Sequence, residues 1–266
     1  MMPNKLKFST IALLAGVTAA VVTVSSANAQ SGQDDDDGER FLIAGITAEY
    51  EPVFLGSKKN AVEPQIYVNA RWGRFFAGQR GVGLDLFTYD GDLEFALGTA
   101  ISLGEGREEG DDIKLKGLGS IDRPIEATLF GELDFGFAEA GLTVGRDIGN
   151  AHKGTFVDLD VSKDFELNDR LELEIEARAR WADKKFNQVF YGVNALQATR
   201  SGYKAYTPKA GMQTAAFSVG LTYKVTDRWF VRAEAESKNL LGDSKKSPFI
   251  AKQNGTAFGI GIARRF

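Results

Sequence analysis

The chain has 266 residues, 32 Lys and Arg against 36 Asp and Glu, a formal net charge of −4 and no cysteine. Without cysteine, disulfide stapling and a cysteine-linked lipid anchor are excluded, and the acidic balance argues against nucleic acid, which wants clustered positive charge. Mean hydropathy is mildly negative, which fits a soluble protein or a membrane barrel, where alternation averages each strand's hydrophobicity away.

Residues 1–29 read as a signal peptide. Lys5 and Lys7 form the positive n-region, Ile11 to Val24 the apolar h-region, and Ala27-Asn28-Ala29 the cleavage site. The mature chain is expected to begin at Gln30, and loss of the two lysines takes the formal charge from −4 to −6. No later window holds about twenty apolar residues, so no transmembrane helix is expected after the leader. Residues 30–40, with four consecutive aspartates at Asp34 to Asp37, read as an acidic periplasmic segment too polar to bury a core. Their spacing lacks the alternating ligands of a calcium loop.

From residue 41 to 266 strand-like segments recur, separated by Gly, Asn and Asp turns: 41–52, 62–72, 74–79, 82–88, 92–103, 123–135, 137–148, 154–165, 170–181, 213–225, 228–238 and 255–266. The most informative is L-E-L-E-I-E-A-R-A-R-W at 171–181, where Leu171, Leu173, Ile175, Ala177, Ala179 and Trp181 alternate with Glu172, Glu174, Glu176, Arg178 and Arg180. As a strand, one face is wholly apolar and the other wholly ionic; as a helix, the apolar residues would scatter around the circumference. Arg232, Glu234 and Glu236 repeat the pattern against Val231, Ala233 and Ala235. A soluble sheet rarely carries such a face, whereas a barrel in lipid with a polar lumen does. The expected fold is all-β: a single antiparallel transmembrane β-barrel of twelve strands, or ten if the short third and fourth segments are one bent strand.

Connection lengths agree. From a periplasmic N-terminus, the periplasmic turns are Gly73, Tyr89–Gly91, Gly136, Glu166–Asp169 and Thr226-Asp227, all short, while the long connections at 53–61, 104–122, 182–212 and 239–254 fall outside. Trp72, Trp181 and Trp229 sit at predicted strand ends, as an aromatic girdle. The terminal Phe266, with Phe258, Ile260 and Ile262 on its face, resembles the C-terminal signal of barrel assembly; Arg264 departs from it, since an apolar residue is usual there.

Catalytic and metal motifs do not emerge, so neither enzyme activity nor a cofactor is expected. His152, the single histidine, reads as an exposed loop residue without a nucleophile motif around Ser102, Ser162 or Ser218. Gly104 to Gly110 has the wrong spacing and too many acids for a phosphate loop. The inward charges Glu172, Glu174, Glu176, Arg178, Arg180, Arg232, Glu234 and Glu236 interleave in sign and are expected to pair across the lumen as a plug, though a twelve-strand barrel could leave a water-filled gap.

The 181–211 block resembles the MipA/OmpV family: Trp181-Ala182-Asp183, then Tyr191-Gly192-Val193, Gln197-Ala198, Ser201-Gly202, Tyr206, Pro208 and Gly211. Tyr50-Glu51-Pro52 with Gly56-Ser57, Gly117 to Ile121, and Leu240 to Asp243 with Ser247-Pro248 extend the likeness over most of 41–266. The resemblance implies a cell outer membrane barrel in contact with lipid, with no catalytic residues. It implies a scaffold linking a lytic transglycosylase (the family is described as MltA-interacting) with a peptidoglycan synthase. Other family members suggest a porin-like channel or a surface protein, the latter using the aromatic-rich 182–212 loop (Phe186, Phe190, Tyr191, Tyr203, Tyr206) as an adhesive face; the same aromatics read equally as a loop folded inward and packed on the barrel mouth.

Overall fold

The computed structural model describes residues 40–91 and 93–266; the expected leader and all of the acidic segment but Arg40 lie outside the described residues. Twelve antiparallel strands are present among the described residues: β1 (Arg40–Pro52), β2 (Asn60–Trp72), β3 (Phe75–Gly78), β4 (Gly81–Tyr89), β5 (Glu94–Leu103), β6 (Ile125–Asp134), β7 (Glu139–Asp147), β8 (Thr155–Asn168), β9 (Leu171–Ala182), β10 (Gly211–Lys224), β11 (Trp229–Leu240) and β12 (Asn254–Arg265). Each pairs with its neighbours in sequence, and β1 closes on β12 from Ile43↔Arg265 to Tyr50↔Phe258. Closure leaves the sheet without an outer edge strand, which a backbone in hydrocarbon requires.

Period-two alternation sorts the side chains as expected. Ile46, Val62, Ile66, Val82, Leu129, Leu142, Phe217, Phe258 and Ile260 face outward and are exposed, whereas Thr47, Glu49, Asp85, Glu174, Glu176, Arg232, Glu234 and Glu236 are buried. An outward apolar belt around a buried ionic interior is stable only with lipid outside. Trp72 and Trp229 stand exposed at one end of the barrel and Trp181 near the other.

At one end the connections are tight. Gly136 closes the β6–β7 turn at φ +79°, a conformation that side chains with a Cβ avoid, and its N–H donates to the Asp134 carboxylate at 2.6 Å. β8 continues to Asn168 through a register shift between Glu166 and Asn168, so the turn expected at 166–169 shrinks to Asp169–Arg170. The third and fourth segments are two separate strands. β3 is only four residues long and meets β2 over Ala70 to Trp72, so the wall is lowest there.

At the other end, segments expected as irregular loops carry two helices, α1 (Lys184–Tyr191) and α2 (Ala195–Ser201). Asp183 caps α1 by accepting from the Phe186 N–H at 2.8 Å. Asn194 and Gln197 form a reciprocal capping box on α2, and Gly202 ends it at φ +77°. These are standard start and stop devices.

Candidate functional site: a charged lumen beneath a loop cap

The inward charges are held along the wall. Arg232 of β11 reaches across β10 to Glu174 of β9 at 2.7 Å and also bonds Glu234 at 3.1 Å. The residue in register between Glu174 and Glu234 is Gly220. A Cβ there would meet the guanidinium carbon of Arg232 at 2.7 Å, so the glycine is what lets the arginine cross. Arg180 grips Asp158 of β8 with two bonds of 2.6 and 2.7 Å, the planar fork matching the carboxylate. Arg178 bonds Glu176 at 2.5 Å and Lys238 reaches Glu236 at 3.3 Å. Glu172 sits half-buried at the turn end of the same row. On the facing wall Arg71 pairs with Asp85 and Arg80 with Glu132, the Arg80 guanidinium lying 5.0 Å from the Phe130 ring centroid.

Because these pairs join the same or nearby strands, they do not plug the lumen as the sequence suggested. A cavity of about 1000 Å³ remains, reaching from Phe41, Asp90, Asp134 and Arg265 near the turn end to Leu55, Gly104, Glu105 and Tyr191 beneath the loops. Its lining includes Arg71, Arg80, Arg178 and Arg180 opposite Asp85, Glu132, Asp158 and Glu176. Both signs of charge therefore face one cavity.

The loops meet above it in a small core of their own. Leu115 and Leu118 from the 104–124 loop, Val193 beside the helices, and Phe249 from the last loop are buried together, with Phe54, Ala198, Tyr203, Tyr206 and Ile250 packed around them. Polar bonds tie the same loops. The Ser57 hydroxyl donates to Asp112, the Gln197 side-chain amide to the Leu118 carbonyl at 2.7 Å, and the Tyr206 hydroxyl to the Asp243 carbonyl at 2.7 Å. Val193 and Tyr206 exchange backbone bonds of 2.8 Å.

The residues of the 181–211 motif thus build the cap. Tyr191 and Val193 are buried, Gly192 and Gly202 end the two helices, Ala198 packs on the core and the Ser201 hydroxyl donates to the Gln197 carbonyl. Pro208 is fully buried, Gly211 begins β10, Ser247 is buried and Pro248 is exposed.

His152 is not exposed. It is 3 % accessible, its ring 4.5 Å from Phe186 and 5.7 Å from Phe190. Asp147 turns the connection back by accepting from the His152 and Lys153 N–H groups at 2.7 and 2.8 Å, which tucks the ring under α1. Nδ1 accepts from the Gly154 N–H at 3.0 Å, leaving Nε2 to face Glu126 at 3.4 Å. Such a histidine is a packing and hydrogen-bonding element of the cap's underside.

Sequence reasoning missed Arg107 and Asn187. Arg107 is 7 % accessible, donates to the Phe190 carbonyl at 2.8 Å and lies 5.2 Å from the Phe249 ring centroid. Burial pushes its pKa down to about 10 and raises that of the Tyr191 phenol beside it. Asn187 donates to the Ala182 and Lys209 carbonyls at 3.3 and 2.9 Å. The available signal was the apolar set Leu115, Leu118, Phe249 and Ile250, out of place in solvated loops. Among the described residues no group of three or more His, Asp or Glu side chains is placed to hold a metal ion.

The model of the family described as "MltA-interacting protein MipA" matches residues 44–266. The chain belongs to the MipA family. It is a barrel of the outer membrane, the strands and loop cap together making up the family's region. No curated protein sequence matches this MipA-family chain. Among solved structures, the NanC porin is 10 % identical, with 83 % of this chain and 98 % of that one covered and a TM-score of 0.47. OmpT of Vibrio cholerae is 11 % identical, with 85 and 97 % covered and a TM-score of 0.35. Salmonella typhi OmpF, solved with daunomycin, is 11 % identical, with 88 and 99 % covered and a TM-score of 0.38. At these identities the likeness reaches only the barrel form and does not bear on activity.

Proposed function

We propose that this barrel is a capped binding protein, a scaffold that holds a lytic transglycosylase and a peptidoglycan synthase against the inner face of the outer membrane. The family's description supplies the first partner class. The observation that carries the reading is the cap: four loops share one buried core above the lumen, a construction suited to closing a barrel. The acidic segment 30–40, of which 30–39 precede the first strand, offers a sizeable handle beyond the short turns. Affinity purification from detergent-solubilised envelopes should retain murein enzymes and lose them on deletion of 30–39, with barrel folding intact by heat-modifiable mobility. Retention by the deleted form would move the docking site to the rim, and absence of murein enzymes from the full chain would sink the scaffold.

A solute channel is the second reading, supported by the cavity of about 1000 Å³ with its facing charges. Planar-bilayer recording separates the two. Silence supports the capped scaffold; steady steps whose ion selectivity shifts in Arg178→Gln support the channel.

A further inference from the structure

Arg264 breaks the rule of its own strand. Phe258, Ile260, Ile262 and Phe266 form the outward apolar row of β12 and its terminus, all exposed, and Arg264 lies in that row between Ile262 and Phe266. In register it stands beside Ala44 of β1 and Trp229 of β11. The alanine leaves room, and the two aromatic rings flank the guanidinium at 5.8 Å (Trp229) and 4.7 Å (Phe266). Nε is buried and finds no acceptor in the protein. A cation on the lipid face is tolerated near the interface and costly toward the midplane, and it reaches for polar headgroups when it can.

Two more arginines share the place. Arg228, in the β10–β11 turn, and Arg265 line with Arg264, Asp227 and Phe266 an open recess of about 530 Å³. The Arg265 N–H donates to the Arg228 carbonyl at 2.8 Å, fixing the turn against the strand end. Arg265 also lies 5.7 Å from the Phe41 ring centroid. The guanidinium groups of Arg264 and Arg228 thus share the recess with one acidic side chain, Asp227, whereas Arg265, the next residue along the strand, turns its guanidinium to the lumen side over Phe41. None of the three arginines forms an ion pair among the described residues. The recess is at the end with the tight turns, which in outer-membrane barrels faces the periplasm and its phospholipid leaflet.

We infer that Arg264 and Arg228 form a binding site for the phosphate of an anionic phospholipid in the periplasmic leaflet. The phosphate would sit between the arginines at the depth of the Trp229 and Phe266 girdle, where headgroups lie, and the acyl chains would run along Ile262 and Ala44. Guanidinium groups match phosphate oxygens in pairs. The inference rests on the barrel and its orientation, not on the scaffold, so a failed enzyme pull-down leaves it standing.

The test reconstitutes the full barrel in phosphatidylcholine vesicles containing a minor fraction of phosphatidylglycerol, then counts phosphatidylglycerol carried through extraction by native mass spectrometry. Wild type should retain it; R264L, which restores the usual apolar residue, should lose about fivefold in retention, roughly what one lysine or arginine near an anionic surface contributes. R264K should keep most of it. R74L, at the same end but outside the recess, should match wild type. If R264L does not fold by heat-modifiable mobility, R228Q in the turn makes the same comparison. Undiminished retention by the folded variant overturns the site, as does an equal loss in R74L, which would mean general surface charge. Displacement by excess inorganic phosphate would make it a soluble-anion site and overturn the lipid assignment.

Discussion

Phe249→Ala tests whether the cap is a separate folded layer. The ring is 1 % accessible, packs against Phe54 and Tyr203 at centroid distances of 6.2 and 6.3 Å, and carries the Arg107 guanidinium at 5.2 Å. Truncating a buried phenylalanine costs about 3–5 kcal/mol, and about 1–2 kcal/mol of that is the desolvated cation's contact with the ring. Among the described residues the cluster around Phe249 has only four buried members, so little else can absorb the loss. At about 1.4 kcal/mol per decade, the open population rises at least about a hundredfold. Limited trypsin digestion of the detergent-folded barrel reads this at Lys204, Lys209, Lys245 and Lys246, because cleavage follows the open fraction when opening is fast. The barrel band on a heat-modifiability gel should persist while the loops are cut. Loop cleavage within about threefold of wild type would refute the cap as a cooperative core. Loss of the folded band together with the cap would refute its independence.

Removing the Arg232 guanidinium strands Glu174 and Glu234 without their cation. Arg232→Met should lower barrel stability by about 3 kcal/mol, seen as a reduced urea midpoint by tryptophan fluorescence, and Arg232→Met with Glu174→Gln should recover part of it; equal loss in single and double variants would dismiss the pair. The cap should also loosen in alkali. Burial raises the Tyr191, Tyr203 and Tyr206 phenols, so above the ordinary tyrosine value the folded cap keeps protons that the opened loops release, and its stability falls as pH rises through that window. Arg107 opposes this: from about 10 up to the ordinary arginine range the opened state holds the extra proton. With the phenols setting the direction, cleavage by an alkali-tolerant protease should climb above about pH 10 and stay flat near neutrality. Tyr191→Phe should delay the rise, and a flat profile throughout would contradict it.

Strand placement was legible because each strand lies between lipid and a polar lumen, and that boundary writes itself on every second residue from Leu171 to Trp181. The helices were not, since eight and seven residues give too few turns for a 3.6 period. Their caps were visible in Asp183, Gln197 and Gly202, read as family markers and not as helix punctuation, and in Asn194, which carried no reading. His152 misled because a polar five-residue connection looks solvated; its burial depends on Phe186 and Phe190, contributed by a loop more than thirty residues downstream. The lumen cavity was hidden for the same kind of reason: whether Arg232 meets Glu174 along the wall or a partner across it turns on Gly220, in register between Glu174 and Glu234, leaving room for the guanidinium. Pairing of that sort is a property of three strands at once.

The contributors to the cap's interior come from both extremes of the chain: Phe54 follows the first strand and Phe249 precedes the last. A nascent sheet lacking its final hairpin therefore has nothing with which to seal its mouth, however well its earlier hairpins are zipped. Seaming of β1 to β12 and burial of Phe249 become coupled late events, long-range in sequence and slow for that reason. The lid records that the ring has been completed, so incomplete insertion leaves sticky apolar loops on show to quality-control proteases.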